Sequence, residues 1–255
     1  MTSIADLDRV MEMVKQKTGY PVSVTPSSSI QTHAAMRSAT RDMPVHIVLV
    51  NPKYEKFSNY LVTAQCAMLL IKWADSERIP DFSVSDQRKA SIEVDLMKKM
   101  SHKGIPEAAQ RQFVSQLVSG LLLQLASVPM ELLVLDWCHR KCHGLREEQE
   151  LEVHANLREL SANLDPKIRE MVPGEIYEHS VAMNAAFVLR WSHLTGNLQI
   201  LLPYRALGFL QKGEQLIKLL EAISAGALDI YPRVVDAWAK ELGMNGWYSW
   251  IYRKG

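Results

Sequence analysis

Residues 59–73, NYLVTAQCAMLLIKW, decide how this chain folds. As a helix, this stretch places apolar side chains on every side of its axis, from Leu61 to Trp73. A helix that is apolar all round lies in the middle of a domain, so the stretch predicts a buried central helix. Gln65 is strongly polar and stands near its middle. A buried amide needs hydrogen-bond partners, because leaving it unsatisfied costs about 1 to 3 kcal/mol.

The segments around this helix predict the rest of the fold. Apolar residues from Ile4 to Val14 follow a helical stripe that stops at TGYP, residues 18–21. YPVSV and two extended candidates between Ile30 and Val50, the second being VHIVLV, predict a small N-terminal sheet. Beyond it, the pattern predicts helices at about 54–75, 86–101, 106–127, 129–143, 146–163, 174–194, 204–223 and 231–242. The predicted fold class is α+β, predominantly helical, with a small N-terminal sheet followed by a helical bundle.

Proline and glycine mark the predicted joints, and no long Ser- or Gly-rich linker separates them. We therefore expect one domain over residues 1–255. The helices after Gly144 carry more charge, as in REEQELE at 146–152, so a subdivision into 1–143 and 144–255 stays open.

Composition narrows the classes of function. The chain has 255 residues, 47% of them hydrophobic, which is ample for a core, and its formal net charge is +1. That charge does not favour nucleic-acid binding. The first residues do not resemble a signal peptide, and the longest apolar runs, around 61–71 and 117–128, are shorter than the ~20 residues that cross a bilayer. Three cysteines fit reduced thiols. We expect a cytoplasmic protein with no membrane association.

A helix, a small sheet ending in HIVLVNPKY, and then a central helix resemble the layout of the ImmA/IrrE-like zinc metallopeptidases. In that family an edge strand leads into a helix that carries His-Glu-x-x-His, whose histidines bind zinc and whose glutamate is the general base. At those positions this chain has Ala64, Gln65 and Met68. The resemblance implies a zincin-like, degenerate metallopeptidase part over 1–143 without a zinc site. The family's third ligand, a carboxylate, would come from near Glu107, Glu131 or Asp136.

A second group of residues, LDWCHRKCHG at 135–144, contains metal-binding side-chain types. Asp136, His139 and His143 are spaced by three and four, close to one face of a helix, and this spacing is compatible with a metal site. The alternative is a solvated helix end. In that case Leu132, Leu135, Cys138 and Cys142 form a core stripe, the histidines face outward, and Gly144 takes the left-handed cap.

Two further features have open interpretations. Asn184 lies on an apolar helical pattern and is a second buried amide, which either joins Gln65 in a polar network or lines a cleft. Trp247, Tyr248, Trp250 and Tyr252 crowd the segment 241–255 and form either a docking surface or a tail packed onto the domain.

The sequence contains no complete catalytic set and no phosphate or oxyanion cradle, so no cofactor is predicted. The leading hypothesis is a non-catalytic intracellular protein on a metallopeptidase-like scaffold that acts by protein–protein interaction, with a protein partner or as a homo-oligomer. The alternative is a metal-dependent hydrolase that uses Asp136, His139 and His143. Nucleic-acid regulation, which the resemblance implies, is a third hypothesis.

Overall fold

A computed structural model describes residues 3–99, 106–224 and 229–254. The chain is α+β and mostly helical, with a small N-terminal mixed sheet and a long, largely buried helix, which confirms the predicted class. The helices are α1 Ser3–Thr18, α2 Ser58–Lys72, α3 Asp86–Lys99, α4 Glu107–Lys141, α5 Arg146–Ala162, α6 Pro166–Met171, α7 Gly174–Thr195, α8 Leu202–Ala206, α9 Leu210–Ser224 and α10 Ile230–Glu241. The strands are β1 Val22–Pro26, β2 Ala34–Arg37, β3 His46–Val50, β4 Ile79–Ser83 and β5 Ser249–Arg253.

The chain groups into two compact units, each built from separate stretches of sequence. Unit 1 takes residues 1–79, 131–158 and 253–255, and unit 2 takes residues 80–130 and 159–252. The boundaries of both units differ from the subdivision at Gly144. A single domain over 1–255 stays a prediction.

The three-stranded sheet of unit 1 has the order β1-β3-β2. β1 runs parallel to β3, with Val22 opposite His46, and β2 runs antiparallel to it, with Ala34 opposite Val50. The strand that leads into α2 is thus the middle strand, whereas the metallopeptidase resemblance implies an edge strand. The physical reason is burial, because alternate residues of β3 point into the core and a middle strand is covered most completely.

The core of unit 1 forms between α1, the sheet and α2. Val10 and Val14 of α1 and Val48 of β3 are fully buried, and they belong to one hydrophobic cluster with one side of α2. The α2 members of the cluster are Leu61, Val62, Cys66 and Leu69. Leu145 and Ala155, which lie far along the sequence, complete the same cluster. The core of unit 1 therefore depends on residues before 79 and after 131.

α4 is one helix of 35 residues that continues through Pro129. The prediction of two helices that meet at this proline was wrong. Proline removes one backbone hydrogen bond and costs about 3 kcal/mol in a helix interior. Apolar residues on both sides of Pro129 are buried, and two of them, Leu125 and Leu132, are at 0% exposure. Their packing offsets the cost of the proline.

The continuity of α4 also bears on the membrane expectation. Within the described ranges, α4 alone is long and apolar enough to cross a membrane by length and composition. Buried core helices satisfy the same criterion, and 56% of its most apolar window is buried inside the structure. The absence of a membrane association therefore stays a prediction.

In unit 2, the neighbouring helices α7 and α9 approach to backbone contact at Gly213. A Cβ atom at this position would lie 2.9 Å from the backbone carbon of Ala185, so only glycine allows the spacing. The predicted helix at 204–223 is two helices, because Gly208 adopts a φ of +79° between α8 and α9. The two-stranded sheet of β4 and β5 and the short α6 were not predicted, since each has six residues or fewer.

One buried histidine connects α1 to the sheet. His46 is fully buried, and the Ala39 N–H donates to its Nδ1 at 3.0 Å. Nδ1 must then be the acceptor, so the ring is neutral and its Nε2–H donates to Thr18 Oγ1 at 2.9 Å. Burial lowers the pKa of His46 from its ordinary 6.5.

We expect this histidine to make unfolding pH-dependent. Because its folded pKa is lowered, its contribution to stability is complete above pH 6.5 and is lost as the pH falls through the folded pKa, by up to about 1.4 kcal/mol per pH unit. Urea unfolding of His46→Gln between pH 7.5 and 4.5 should show a shallower pH dependence than the wild type. His143→Gln, which changes an exposed histidine, is the matched control and should keep the wild-type slope. Equal slopes for His46→Gln and wild type would contradict this prediction.

Candidate functional site

The α2 residues at the metallopeptidase motif positions lie on its less buried side. Ala64, Gln65 and Met68 are all half-buried, whereas Cys66 and Ala67 are fully buried. The prediction that α2 is buried all round is therefore confirmed for one side of the helix only, because the other side is half-buried. Gln65 has no side-chain hydrogen bond among the described residues, and because it is only half-buried, water can satisfy its amide.

Zinc does not fit these residues. A methyl group, an amide and a thioether replace the two imidazoles and the carboxylate of the family motif, and the first has no ligand atom. Of the carboxylates considered for a third ligand, Glu107 is exposed and pairs with Arg111 on the same helix, and Asp136 is 6% exposed. Within 3–99, 106–224 and 229–254, no three His, Cys, Asp or Glu side chains are grouped so as to hold a metal ion.

The second candidate site is not assembled either. Asp136 is buried along α4, and His139 is half-buried with its Nδ1 3.3 Å from Gln149 Oε1. His143 is exposed and lies beyond the end of α4, in a short 3-10 turn over 143–145. The helical spacing that would have aligned Asp136, His139 and His143 therefore stops at Lys141.

The solvated-helix-end interpretation of this segment is confirmed in part. Cys138 and Cys142 are each 1% exposed and belong to the core, as this interpretation predicts. Gly144 does not take a left-handed cap, because the chain passes directly through the 3-10 turn into α5. Its N–H instead donates to Asp6 Oδ2 at 2.8 Å.

The end of α4 is held by an ion pair on α1 between the buried Asp6 and the exposed Arg9. Arg9 donates to the Lys141 carbonyl at 2.6 Å and to Asp6 Oδ1 at 2.9 Å. Burial by itself raises the pKa of Asp6, but the hydrogen bonds from Arg9 and the Gly144 N–H outweigh it, and the pKa is lowered overall. We call Asp6, Arg9, Lys141 and Gly144 the α1–α4 clamp.

The three cysteines, Cys66, Cys138 and Cys142, are all buried, and two of them have raised pKa values. Burial raises the pKa of Cys66 to about 12. A hydrogen bond to Cys142, together with burial, raises the pKa of Cys138. Cys142 has a lowered pKa because it accepts that hydrogen bond and lies 3.7 Å from Arg9, yet its side chain is closed off from solvent.

α5 supplies a polar group that the sequence analysis missed. Glu148 Oε2 accepts from the Tyr60 N–H at 3.0 Å, and Glu148 Oε1 accepts from Asn59 Nδ2 at 2.9 Å. Phe57, the residue that precedes α2, makes no side-chain cap. Glu148 therefore caps the N-terminus of α2 from another helix, where its charge also complements the helix dipole.

Gln149 is the buried member of the same group. It is 1% exposed, its Nε2 donates to the Leu135 carbonyl at 3.0 Å, and it lies 3.5 Å from the Tyr60 hydroxyl. Burial raises the pKa of Tyr60, so that hydroxyl stays protonated. A sequence signal existed, because Leu145, Gln149 and Val153 follow a spacing of four that puts the glutamine in the apolar stripe of α5.

His33 lies at the outer side of this group. Its Nδ1 is 3.4 Å from Glu152 Oε1, and its ring centroid is 4.0 Å from that of Tyr54. The α5 residues Glu148, Gln149 and Glu152 thus contact the start of β2 and the entry to α2 through half-buried polar contacts. These contacts position elements of unit 1, and the pair of His33 and Glu152 is packed against the Tyr54 ring.

Asn184 is buried at 1% exposure, as predicted, but its partner is not Gln65. Gln124 Nε2 donates to Asn184 Oδ1 at 2.6 Å and to the Ser180 carbonyl at 3.0 Å. The amide that binds the Asn184 oxygen is therefore on α4, and a network with Gln65, one of the two alternatives, is not what the described contacts of Asn184 form. Asn184 Nδ2 has no partner in the described part of the chain.

The C-terminal aromatic residues pack onto their own chain. Tyr248 and Trp250 both donate to Asp236 Oδ1, at 2.5 and 2.8 Å. Phe82 stacks on Tyr248 with ring centroids 4.4 Å apart, and the Trp250 ring meets Tyr231 edge-on. These contacts agree with the packed-tail interpretation.

Comparison with protein-family models, with curated proteins and with solved structures found no match to this chain. The interpretation of the site therefore rests on its own residues.

The cap on α2 gives a direct prediction. Glu148→Ala removes both hydrogen bonds to Asn59 and Tyr60 and should lower the free energy of unfolding by about 1 kcal/mol, the typical value of an N-cap. Glu147→Ala is the matched control, since Glu147 is exposed in the same turn, and it should stay within about 0.5 kcal/mol of wild type. Urea unfolding measures both. Equal losses for the two variants would contradict the role of Glu148.

Proposed function

We propose that this chain is a non-catalytic intracellular protein, built on a metallopeptidase-like scaffold, that acts by binding a protein partner or a second copy of itself. One observation carries the proposal. The side of α2 where the resemblance places a zinc site is only half-buried and carries Ala64, Gln65 and Met68, none of which is charged. We call these three residues the α2 face.

The order of elements supports a zincin-like scaffold. A helix, three strands and then α2 follow one another in unit 1, and α2 contributes four residues to the hydrophobic cluster at its core. This is the order that the metallopeptidase resemblance implies. Zinc does not fit the α2 face, so no hydrolytic step is derived for it.

The chemistry of the α2 face supports binding to a protein. Interface cores are depleted of charged residues, because a charge must be desolvated on binding. Met68 is flexible and polarizable and adapts to differently shaped apolar partners. Gln65 can both donate and accept a hydrogen bond, and no described residue takes either role with it.

The free cysteines support an intracellular location. Cys66, Cys138 and Cys142 are all unpaired, as is usual where the cell keeps thiols reduced.

Restoring the family motif tests the scaffold. The triple variant Ala64→His, Gln65→Glu, Met68→His places two imidazoles four residues apart on a helical face, and a zincin-like scaffold should supply a further ligand. We expect the purified triple variant to keep about one equivalent of zinc through dialysis, measured by elemental analysis. The double variant Gln211→His, Gln215→His is the control, because it puts the same spacing on the exposed side of α9. If the triple variant keeps no more zinc than this control, the scaffold assignment is wrong.

Photo-crosslinking tests the α2 face as a binding surface. A benzoylphenylalanine in place of Gln65 should form a discrete adduct in cells, with a second protein or with another copy of the chain. The same probe in place of Leu151, which is 43% exposed on α5, is the matched control and should give none. Adding Met68→Glu should abolish the adduct, because it introduces a charge that binding would desolvate. Equal labelling from both positions, or no adduct at position 65, would contradict this role of the face.

A further inference from the structure

Two buried tyrosines of unit 2 have hydroxyl groups without a hydrogen-bond partner. Tyr177 of α7 is 4% exposed and Tyr204 of α8 is 3% exposed. Neither hydroxyl oxygen has a partner among the described residues. Most buried polar groups in proteins are hydrogen-bonded, so two such hydroxyls on neighbouring elements need a physical explanation.

Phe209 contacts both tyrosines. Its N–H donates to the Tyr204 carbonyl at 3.0 Å, and its ring meets the Tyr177 ring nearly edge-on with centroids 5.9 Å apart. Burial, with a further contribution from Tyr177, raises the pKa of Tyr204. The Tyr204 hydroxyl therefore stays protonated.

The chemistry of the two groups limits what can satisfy them. Each phenol has one hydrogen to donate and an oxygen that accepts, so the missing partner must be able to do both. A buried hydroxyl left without any partner costs roughly 1 to 3 kcal/mol. Water is the smallest molecule that donates and accepts, and globular proteins contain about one buried water per 27 residues, bound to such otherwise unsatisfied groups.

We propose that Tyr177 and Tyr204 form an internal binding site for one water molecule, which bridges their two hydroxyls and joins α7 to α8. This inference is independent of the proposed function, since it concerns unit 2 and makes no use of the α2 face.

A double-mutant cycle tests the bridge. If one water serves both hydroxyls, Tyr177→Phe and Tyr204→Phe should each reduce the folding equilibrium constant by about fivefold to tenfold, the effect of losing one buried hydrogen bond. The double variant should lose clearly less than the product of the two, because the second substitution removes a group whose water is already compromised. Tyr231→Phe is the matched control, since the Tyr231 hydroxyl donates directly to the Ala126 carbonyl at 3.0 Å, and its effect should multiply with that of Tyr177→Phe.

The opposite pattern would overturn the proposal. If the hydroxyls have no partner, each phenylalanine variant should leave the folding equilibrium unchanged or favour it, because an unsatisfied group has been removed. A high-resolution crystal structure gives the second readout. A water within hydrogen-bonding distance of both hydroxyls in the wild type, absent in the double variant, supports the bridge, whereas a direct contact between the hydroxyls or an empty space refutes it.

Discussion

The α1–α4 clamp is the interaction on which unit 1 depends. Asp6 is a carboxylate at 1% exposure, and a buried charge is tolerated only when it is paired and hydrogen-bonded. Arg9 provides the opposite charge and also takes the last carbonyl of α4, while Gly144 provides a backbone N–H. Because the Arg9 side chain is 40% exposed, solvent screens this pair, and Arg9 acts mainly by donating hydrogen bonds to Asp6 and to the end of α4.

The clamp fixes where α4 ends, and the position of α5 follows from that end. Because Gly144 is held against α1, Leu145 enters the hydrophobic cluster, and the first turn of α5 begins at Arg146. Glu148 then lies at the start of α2, whose own entry has no side-chain cap. The orientation of the α2 face thus depends on a chain of contacts that begins at an ion pair on α1.

Much of this architecture could be predicted from local sequence, because the helical stripes and the VHIVLV strand carry strong periodicity. The prediction failed where tertiary contacts outweigh local rules. Because proline is unfavourable inside a helix, a helix was predicted to end before Pro129. Buried packing on both sides of Pro129 instead allows α4 to continue through it. Gln65 was expected to be buried because α2 is apolar on all sides, yet apolar composition does not say which side is left uncovered. His143 was placed on a helix that ends at Lys141, where Arg9 of the distant α1 donates to the last carbonyl. Glu148 was missed because a charged segment gives no local sign that one of its carboxylates caps another helix, and Gln149 was missed although its spacing from Leu145 and Val153 places it in the apolar stripe of α5.

The discontinuity of unit 1 has a consequence for synthesis on the ribosome. The first 79 residues contain α1, the sheet and α2, but the cluster that they share is closed by Leu145 and Ala155. At typical elongation rates of about 5 to 20 residues per second, the chain between Ile79 and Arg158 takes roughly 4 to 16 s to make. During that time the apolar side of α2 lacks the contacts that Leu145 and Ala155 later make in the cluster. The nascent chain therefore presents an unfinished core for several seconds, an interval in which a chaperone has surface to bind.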